Sequence, residues 1–283
     1  MDPIQAIVLG LVQGLSEFIP ISSSAHLIIV PWLLGWRDPG ITFDVALHMG
    51  TLVAVLAYFW QDWIRLIGAA LRSIAARKWD ATTDSRLAWY IVLATIPGAV
   101  AGLLGESKLD EMFHGTDAAS RATGIAIIGV VMIALALVLF TAERTARHRN
   151  SMSELTLGQS LIIGVAQAFA VIPGVSRSGS TITAGLFMNL KREDAARFSF
   201  LLGTPVIAGA GLKKLYDIVK TGGLQADTTT AFAIGLMVAA ISGYAAIFFL
   251  LRFLQRNSTL PFIVYRVVAG IVLIVLVLAG FRH

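Results

Sequence analysis

Apolar residues fill this chain in runs too long for the core of a water-soluble domain, and two short polar clusters break them at matching places. The runs Ile125–Phe140 and Val267–Gly280 carry no charge. A bilayer span needs roughly 20 mostly apolar residues, and the pattern predicts spans near 43–60, 87–104, 123–141, 196–214, 230–251 and 264–280. Shorter apolar segments flank the clusters. Residues 3–18 and 24–36 surround a break at Pro20–Ser24, and 157–171 and 179–189 surround a break at Pro173–Ser178. Ser24 to Trp36 is 13 residues, about 20 Å of helix against a hydrocarbon core of about 30 Å. Each flanked break therefore reads as a re-entrant hairpin. Broken backbone at membrane depth is tolerated only where protein or a wet cavity surrounds it.

The two halves repeat. A shift of 153 residues puts Pro20 on Pro173, Ser23 on Ser176 and Gly50-Thr51 on Gly203-Thr204. After loop-length changes, Ile96-Pro-Gly98 matches Ile241-Ser-Gly243 and Gly129 matches Gly270. Each half has three crossings, and an odd number turns the second copy over, as in transporters. The expected fold is an all-α polytopic membrane protein. It has six transmembrane helices and two re-entrant helical hairpins in an inverted-topology repeat. Residues 1–150 form the first repeat and 151–283 the second, together one membrane domain.

Composition agrees: 57% of residues are apolar and 14% charged, against roughly 45–50% and 25% in soluble domains. There is no cysteine, which excludes disulfides and thiolate chemistry. Met1-Asp-Pro-Ile has no basic stretch of the signal-peptide kind. The net charge of +5 reflects cytoplasmic loops rather than nucleic-acid binding. With the N-terminus outside, segments 61–86, 142–156, 190–197 and 252–266 are cytoplasmic and hold fourteen Lys and Arg, against seven in the outer segments. This favours both termini outside, with the acidic loop Glu106–Asp117 also outside. Lys213, Lys214 and Lys220 run against it. Lys191-Arg-Glu-Asp194 reads as a solvated loop.

The clusters carry the chemistry. Gln13 and Glu17 are four apart and share one helix face. A carboxylate inside a span is costly and is kept for binding or catalysis, or else reaches the interface. Two oxygen ligands one turn apart suit Mg²⁺ or Ca²⁺. Ser22, Ser23 and Ser24 precede a short helix, where serine caps well. His26 makes a nucleophile–base outline with them. In the second cluster Arg177 offers a charged fork suited to phosphate, and the helix start offers N–H groups to an anion. Ser176, Ser178 and Thr181 add hydroxyls. His48 is a further titratable group inside a span, either catalytic or bonded to a neighbouring helix.

Gln13-x-x-x-Glu17, Pro20-x-Ser-Ser-x-x-His26 and Pro173-Gly-x-Ser-Arg-Ser-x-x-Thr181 together resemble the bacterial undecaprenyl-diphosphate phosphatases of the bacitracin-resistance type. The resemblance runs over nearly the whole chain. It implies a multi-pass enzyme of the bacterial inner membrane, a divalent cation, and a site open to the periplasmic or outer face. The substrate would be undecaprenyl diphosphate, the lipid carrier recycled in peptidoglycan synthesis. The family's first acidic position is Gln13 here, which can ligate but cannot act as a base, so more rests on Glu17. On this reading Glu17, Ser23, His26 and Arg177 are catalytic, Gln13 and Glu17 hold the metal, and Ser22, Ser176, Arg177, Ser178 and Thr181 bind substrate. Ser23 attacks or orients water, and His26 handles the proton. Some relatives carry Gln where His48 stands. The alternative is a transporter or flippase using the same anion site without cleavage. The partners are the bilayer and the polyprenyl substrate, and a homodimer is compatible with the sequence.

Overall fold

Helices start and stop beyond the apolar runs, because each span keeps its flanking polar turns helical. The computed structural model describes residues 2–37, 40–113, 118–220 and 226–281. Within them lie α1 (Pro3–Phe18), α2 (Ser23–Leu34), α3 (Ile41–Tyr58), α4 (Trp60–Ala75), α5 (Thr83–Phe113) and α6 (Ala118–Thr145). The second half holds α7 (Leu157–Ala168), α8 (Arg177–Phe187), α9 (Arg192–Lys220), α10 (Ala226–Leu254) and α11 (Leu260–Leu278). Among the described residues five helices are long and apolar enough to cross a membrane, and a sixth is counted if α3 and α4, bent by 78° where they meet, are taken as one broken span. The protein is an all-α polytopic membrane protein. The segment expected to be an acidic outer loop, Glu106–Asp117, is helical as far as Phe113, the end of α5; residues 114–117 lie outside the described residues, as does the C-terminal Arg282.

Two further segments differ from a plain solvated connection. Segment 61–86 is not all loop, since α4 fills its first part. On α4, Ile64, Ile67, Leu71 and Ile74 are exposed while Leu66 and Ala69 are buried, the division expected of a helix lying at a bilayer surface. Lys191–Asp194 is not simply solvated. Arg192 opens α9 and pairs with Glu143 of α6, which also accepts from Thr259 Oγ1 at 2.8 Å. Arg197 Nη2 lies 2.6 Å from Asp62 and ties α9 to α4.

The helix pairings map onto themselves when the halves are exchanged. α1 packs on α10 as α7 packs on α5, α3 meets α10 as α9 meets α5, and α6 packs on α11. Between α6 and α11 the matched glycines face each other. A Cβ on Gly129 would sit 2.8 Å from Gly270 O, and one on Gly270 would sit 2.6 Å from Gly129 O. Lipid supplies no hydrophobic drive for helix pairing, so this close approach is what dispersion needs.

The structure also refines the register of the repeat. α1 ends at Phe18 and α7 at Ala168, a shift of 150 rather than 153. Gly14 and Gly164 agree: a Cβ on Gly14 would meet Ala239 O at 2.7 Å, and one on Gly164 would clash with Ala94 O. The extra three residues are a 3₁₀ turn, Phe169–Val171. Gly174 then adds one more, so α2 starts at Ser23 and α8 at Arg177. Ser23 therefore matches Arg177, and the N-caps Ser22 and Ser176 match each other.

Candidate active site

Both α2 and α8 begin from a strained serine. Ser22 has φ 81° and Ser176 has φ 72°, a region that costs a non-glycine residue on the order of 1–3 kcal/mol and persists only where surroundings enforce it. The enforcing group is Arg266, in α11 and only 1% exposed. Its Nη1 donates to Pro20 O at 3.3 Å and Val175 O at 3.2 Å, its Nη2 to Gly174 O at 2.7 Å, and its Nε to Met132 O at 3.2 Å. One guanidinium thus holds both hairpin tips. The tips also hold each other. Gly174 N–H donates to Ser22 Oγ at 3.2 Å, and Ser178 Oγ to Ile19 O at 3.2 Å.

Arg266 is a correction to the charge count, which placed it in a cytoplasmic segment. Moving it into the fold leaves thirteen basic residues inside against seven outside, so the bias keeps its sign. A lone arginine in the apolar run of α11 was the available signal.

Glu17, at the end of α1, is 5% exposed and is where the polar groups converge. Its Oε1 accepts from Arg177 Nη2 at 3.0 Å. Its Oε2 accepts from Ser23 Oγ at 2.5 Å and Gln13 Nε2 at 3.1 Å, and lies 3.5 Å from His48 Nε2. Arg177 Nη1 also donates to Ser199 O at 3.3 Å. The guanidinium lies against Gly203, where any Cβ would overlap it. Arg177 Nε is buried and has no protein partner. Of these residues Glu17, Ser23, His48 and Arg177 border a cavity of about 250 Å³, whose wall also includes Gln167 and Ile207. The first turns of α2 and α8 reach it through Ser23, Ser24, Ser176 and Arg177. Two helix N-termini with their partial positive charge therefore face one space.

Other predicted residues have different places. His26 makes no hydrogen bond to Ser23. Its Nδ1 bonds back to Ser22 O at 2.7 Å and its Nε2 meets Tyr265 Oη at 2.6 Å. It braces the strained cap rather than bordering the cavity, and the histidine in the cavity wall is His48. Thr181 Oγ1 donates to Arg177 O at 2.7 Å and lies 2.6 Å from Ser199 Oγ, so it fixes α8 on α9. Ser176 caps Gly179 N–H at 3.0 Å. Ser22, Ser176, Ser178 and Thr181 thus hold the loop shape. Sequence reasoning missed Gln167 at the site, and it read Gly203 only as a match in the repeat and Ser24 only as part of the serine run.

The donor set fits a hard divalent cation. Glu17 and Ser23 offer oxygens, and Gln13 Oε1 is buried without a partner. No group of three or more His, Cys, Asp or Glu side chains lies together among the described residues. One carboxylate completed by substrate phosphates is a common Mg²⁺ arrangement.

The family model described as bacitracin resistance protein BacA matches residues 6–272. The chain belongs to the BacA family. Members similar to it are named undecaprenyl-diphosphatase. The one from Pelotomaculum thermopropionicum is 48% identical over 279 residues, 99% of this chain and 98% of that protein. The one from Thermomicrobium roseum is 49% identical over 277 residues, covering 98% and 99%. The one from Geobacter sulfurreducens is 45% identical over 270 residues, covering 95% and 96%.

Proposed function

We propose that this BacA-family chain is an integral membrane phosphatase that hydrolyses undecaprenyl diphosphate to undecaprenyl phosphate and inorganic phosphate. The observation that carries the reading is the Ser23–Glu17–Arg177 chain of hydrogen bonds bordering one cavity. The diphosphate head enters this cavity and the prenyl chain follows apolar helix faces. Arg177 and the first-turn N–H groups of α8 offset charge on the phosphoryl oxygens. Phosphoryl transfer is catalysed mostly by such positioning and electrostatics.

Ser23 Oγ attacks the terminal phosphorus, and its proton passes to Glu17 Oε2. The bond from phosphorus to the bridging oxygen breaks, and undecaprenyl phosphate leaves with that electron pair. Water then releases inorganic phosphate from the serine. A divalent cation held by Glu17, Ser23 and Gln13 would neutralise phosphate charge. His26 keeps the Ser22 cap in the shape that aims Ser23. The protein resides in the bacterial inner membrane with both termini and the cavity on the outer side. A carrier has no use for a hydroxyl held on a carboxylate, which weighs against the transporter reading.

The test is phosphate release from undecaprenyl diphosphate by purified protein in detergent. Release by the parent chain, and loss in Ser23→Ala with unchanged thermal unfolding, supports the reading. Turnover by Ser23→Ala within a few-fold of the parent removes Ser23 as nucleophile. Binding of the substrate without any release would favour transport.

A further inference from the structure

Two long polar side chains in the cavity wall, His48 and Gln167, have no task in the reaction above; His48 bonds through Nδ1 to Asp44 O and lies beside Glu17, and Gln167 has no such partner. It is 3% exposed, yet neither Oε1 nor Nε2 has a hydrogen-bond partner in the protein. Buried amides left in this state are rare, and one that borders a cavity calls for a partner from outside the protein, water or ligand.

Its position in the repeat says what that is. Gln167 is the penultimate residue of α7, as Glu17 is of α1. The glycine one turn before each, Gly164 and Gly14, packs on the matched carbonyls of Ala94 and Ala239. Gln167 is therefore the second half's counterpart of Glu17, and both border the same cavity. Glu17 can only accept hydrogen bonds when ionised, whereas an amide can also donate. A second carboxylate here would repel a diphosphate, and a glutamine does not. Gly98 of α5 supplies the seat. A Cβ on Gly98 would lie 2.8 Å from Gln167 Nε2 and 3.3 Å from its Cδ. Gly98 borders the cavity too, so its missing side chain is the space the amide occupies.

We infer that Gln167 is a substrate-binding residue whose Nε2 donates to a phosphate oxygen of the diphosphate head, from the half of the site opposite Glu17. This rests on the phosphatase reading, and it adds a donor to that site rather than a reacting group. The mirror-related pair then divides the work. Glu17 manages the proton and the positive groups, and Gln167 holds the anion.

The test uses the full chain in detergent, with Gln167→Leu, Gln167→Glu and Gly98→Ala. Two readouts are taken: phosphate release from undecaprenyl diphosphate, and the thermal shift given by methylenediphosphonate, a diphosphate analogue whose P–C–P bridge cannot be hydrolysed. Gln167→Leu should raise KM and weaken diphosphonate binding by about tenfold, with kcat within a few-fold of the parent. Without ligand its Tm should equal or exceed the parent's, because an unpaired buried amide is gone. Gln167→Glu should bind the diphosphonate more weakly still, and Gly98→Ala should weaken it by displacing the amide. Unchanged KM and unchanged diphosphonate binding in Gln167→Leu overturn the inference while the phosphatase reading stands. No turnover by the parent chain sinks the phosphatase reading. The diphosphonate shift needs no turnover and still judges Gln167.

Discussion

Arg177 Nη2 lies 3.0 Å from Glu17 Oε1, joining the two hairpins across 160 residues of sequence. The pair makes one site from two halves. It also restrains the arginine, because the guanidinium is shared among Glu17, the Ser199 carbonyl and the face of Gly203. Only Nε remains without a protein partner.

Replacing Arg177 by Ala should lower kcat/KM for undecaprenyl diphosphate by about 10²–10³, the value of one aimed donor. Arg177→Lys should recover little, since a single ammonium cannot serve Glu17 and Ser199 together as the fork does. Steady-state phosphate release in detergent measures both. Near-normal turnover by Arg177→Ala would remove the arginine from the reaction.

Gly203→Ala places a methyl group where the Arg177 guanidinium lies. The arginine must move, and about a tenfold or greater fall in kcat/KM is expected from misplacing it. Thermal unfolding should change far less. Full activity in Gly203→Ala would mean that the guanidinium acts from another position.

Arg266→Met should be among the most destabilising single changes in the protein. It leaves the carbonyls of Pro20, Gly174, Val175 and Met132 without their buried donor. Each such loss costs on the order of 1–3 kcal/mol, and both strained caps lose their support. A large fall in Tm in detergent, with lost activity, is the expected outcome. A Tm unchanged from the parent would show that the tips hold themselves.

Removing divalent cations with a chelator should stop phosphate release, and added Mg²⁺ or Ca²⁺ should restore it. Gln13→Ala should raise the cation concentration needed for half-maximal rate, with a smaller effect on the rate at saturating metal. A cation titration of parent and variant decides this. Chelator-insensitive turnover would exclude the metal.

His26→Ala should lower activity through the Ser22 cap, to which its Nδ1 bonds at 2.7 Å. Tyr265→Phe removes the other partner of that ring and should give a smaller loss in the same direction. If Tyr265→Phe is silent while His26→Ala is inactive, the ring acts on the reaction rather than as a brace.

The membrane class, the spans and the two polar clusters were legible in the sequence because each is a local property. An uncharged run longer than a core strand or helix has only lipid to face, and a glutamate or arginine inside it stands out at once. The duplication was legible because both halves keep matching prolines and glycines. Its register was not. A single shift of 153 hid the 3₁₀ turn Phe169–Val171 and the added Gly174, so it paired Ser23 with Ser176 rather than Arg177. Local spacing also suggested that His26 faces Ser23, but the ring turns to Ser22 O and Tyr265. Which carbonyls Arg266 holds and that Gln167 shares a cavity with Glu17 depend on residues 91 to 246 positions apart meeting in space. Pairings of that range are set by how the helices of the two halves pack, and only the tertiary structure decides them.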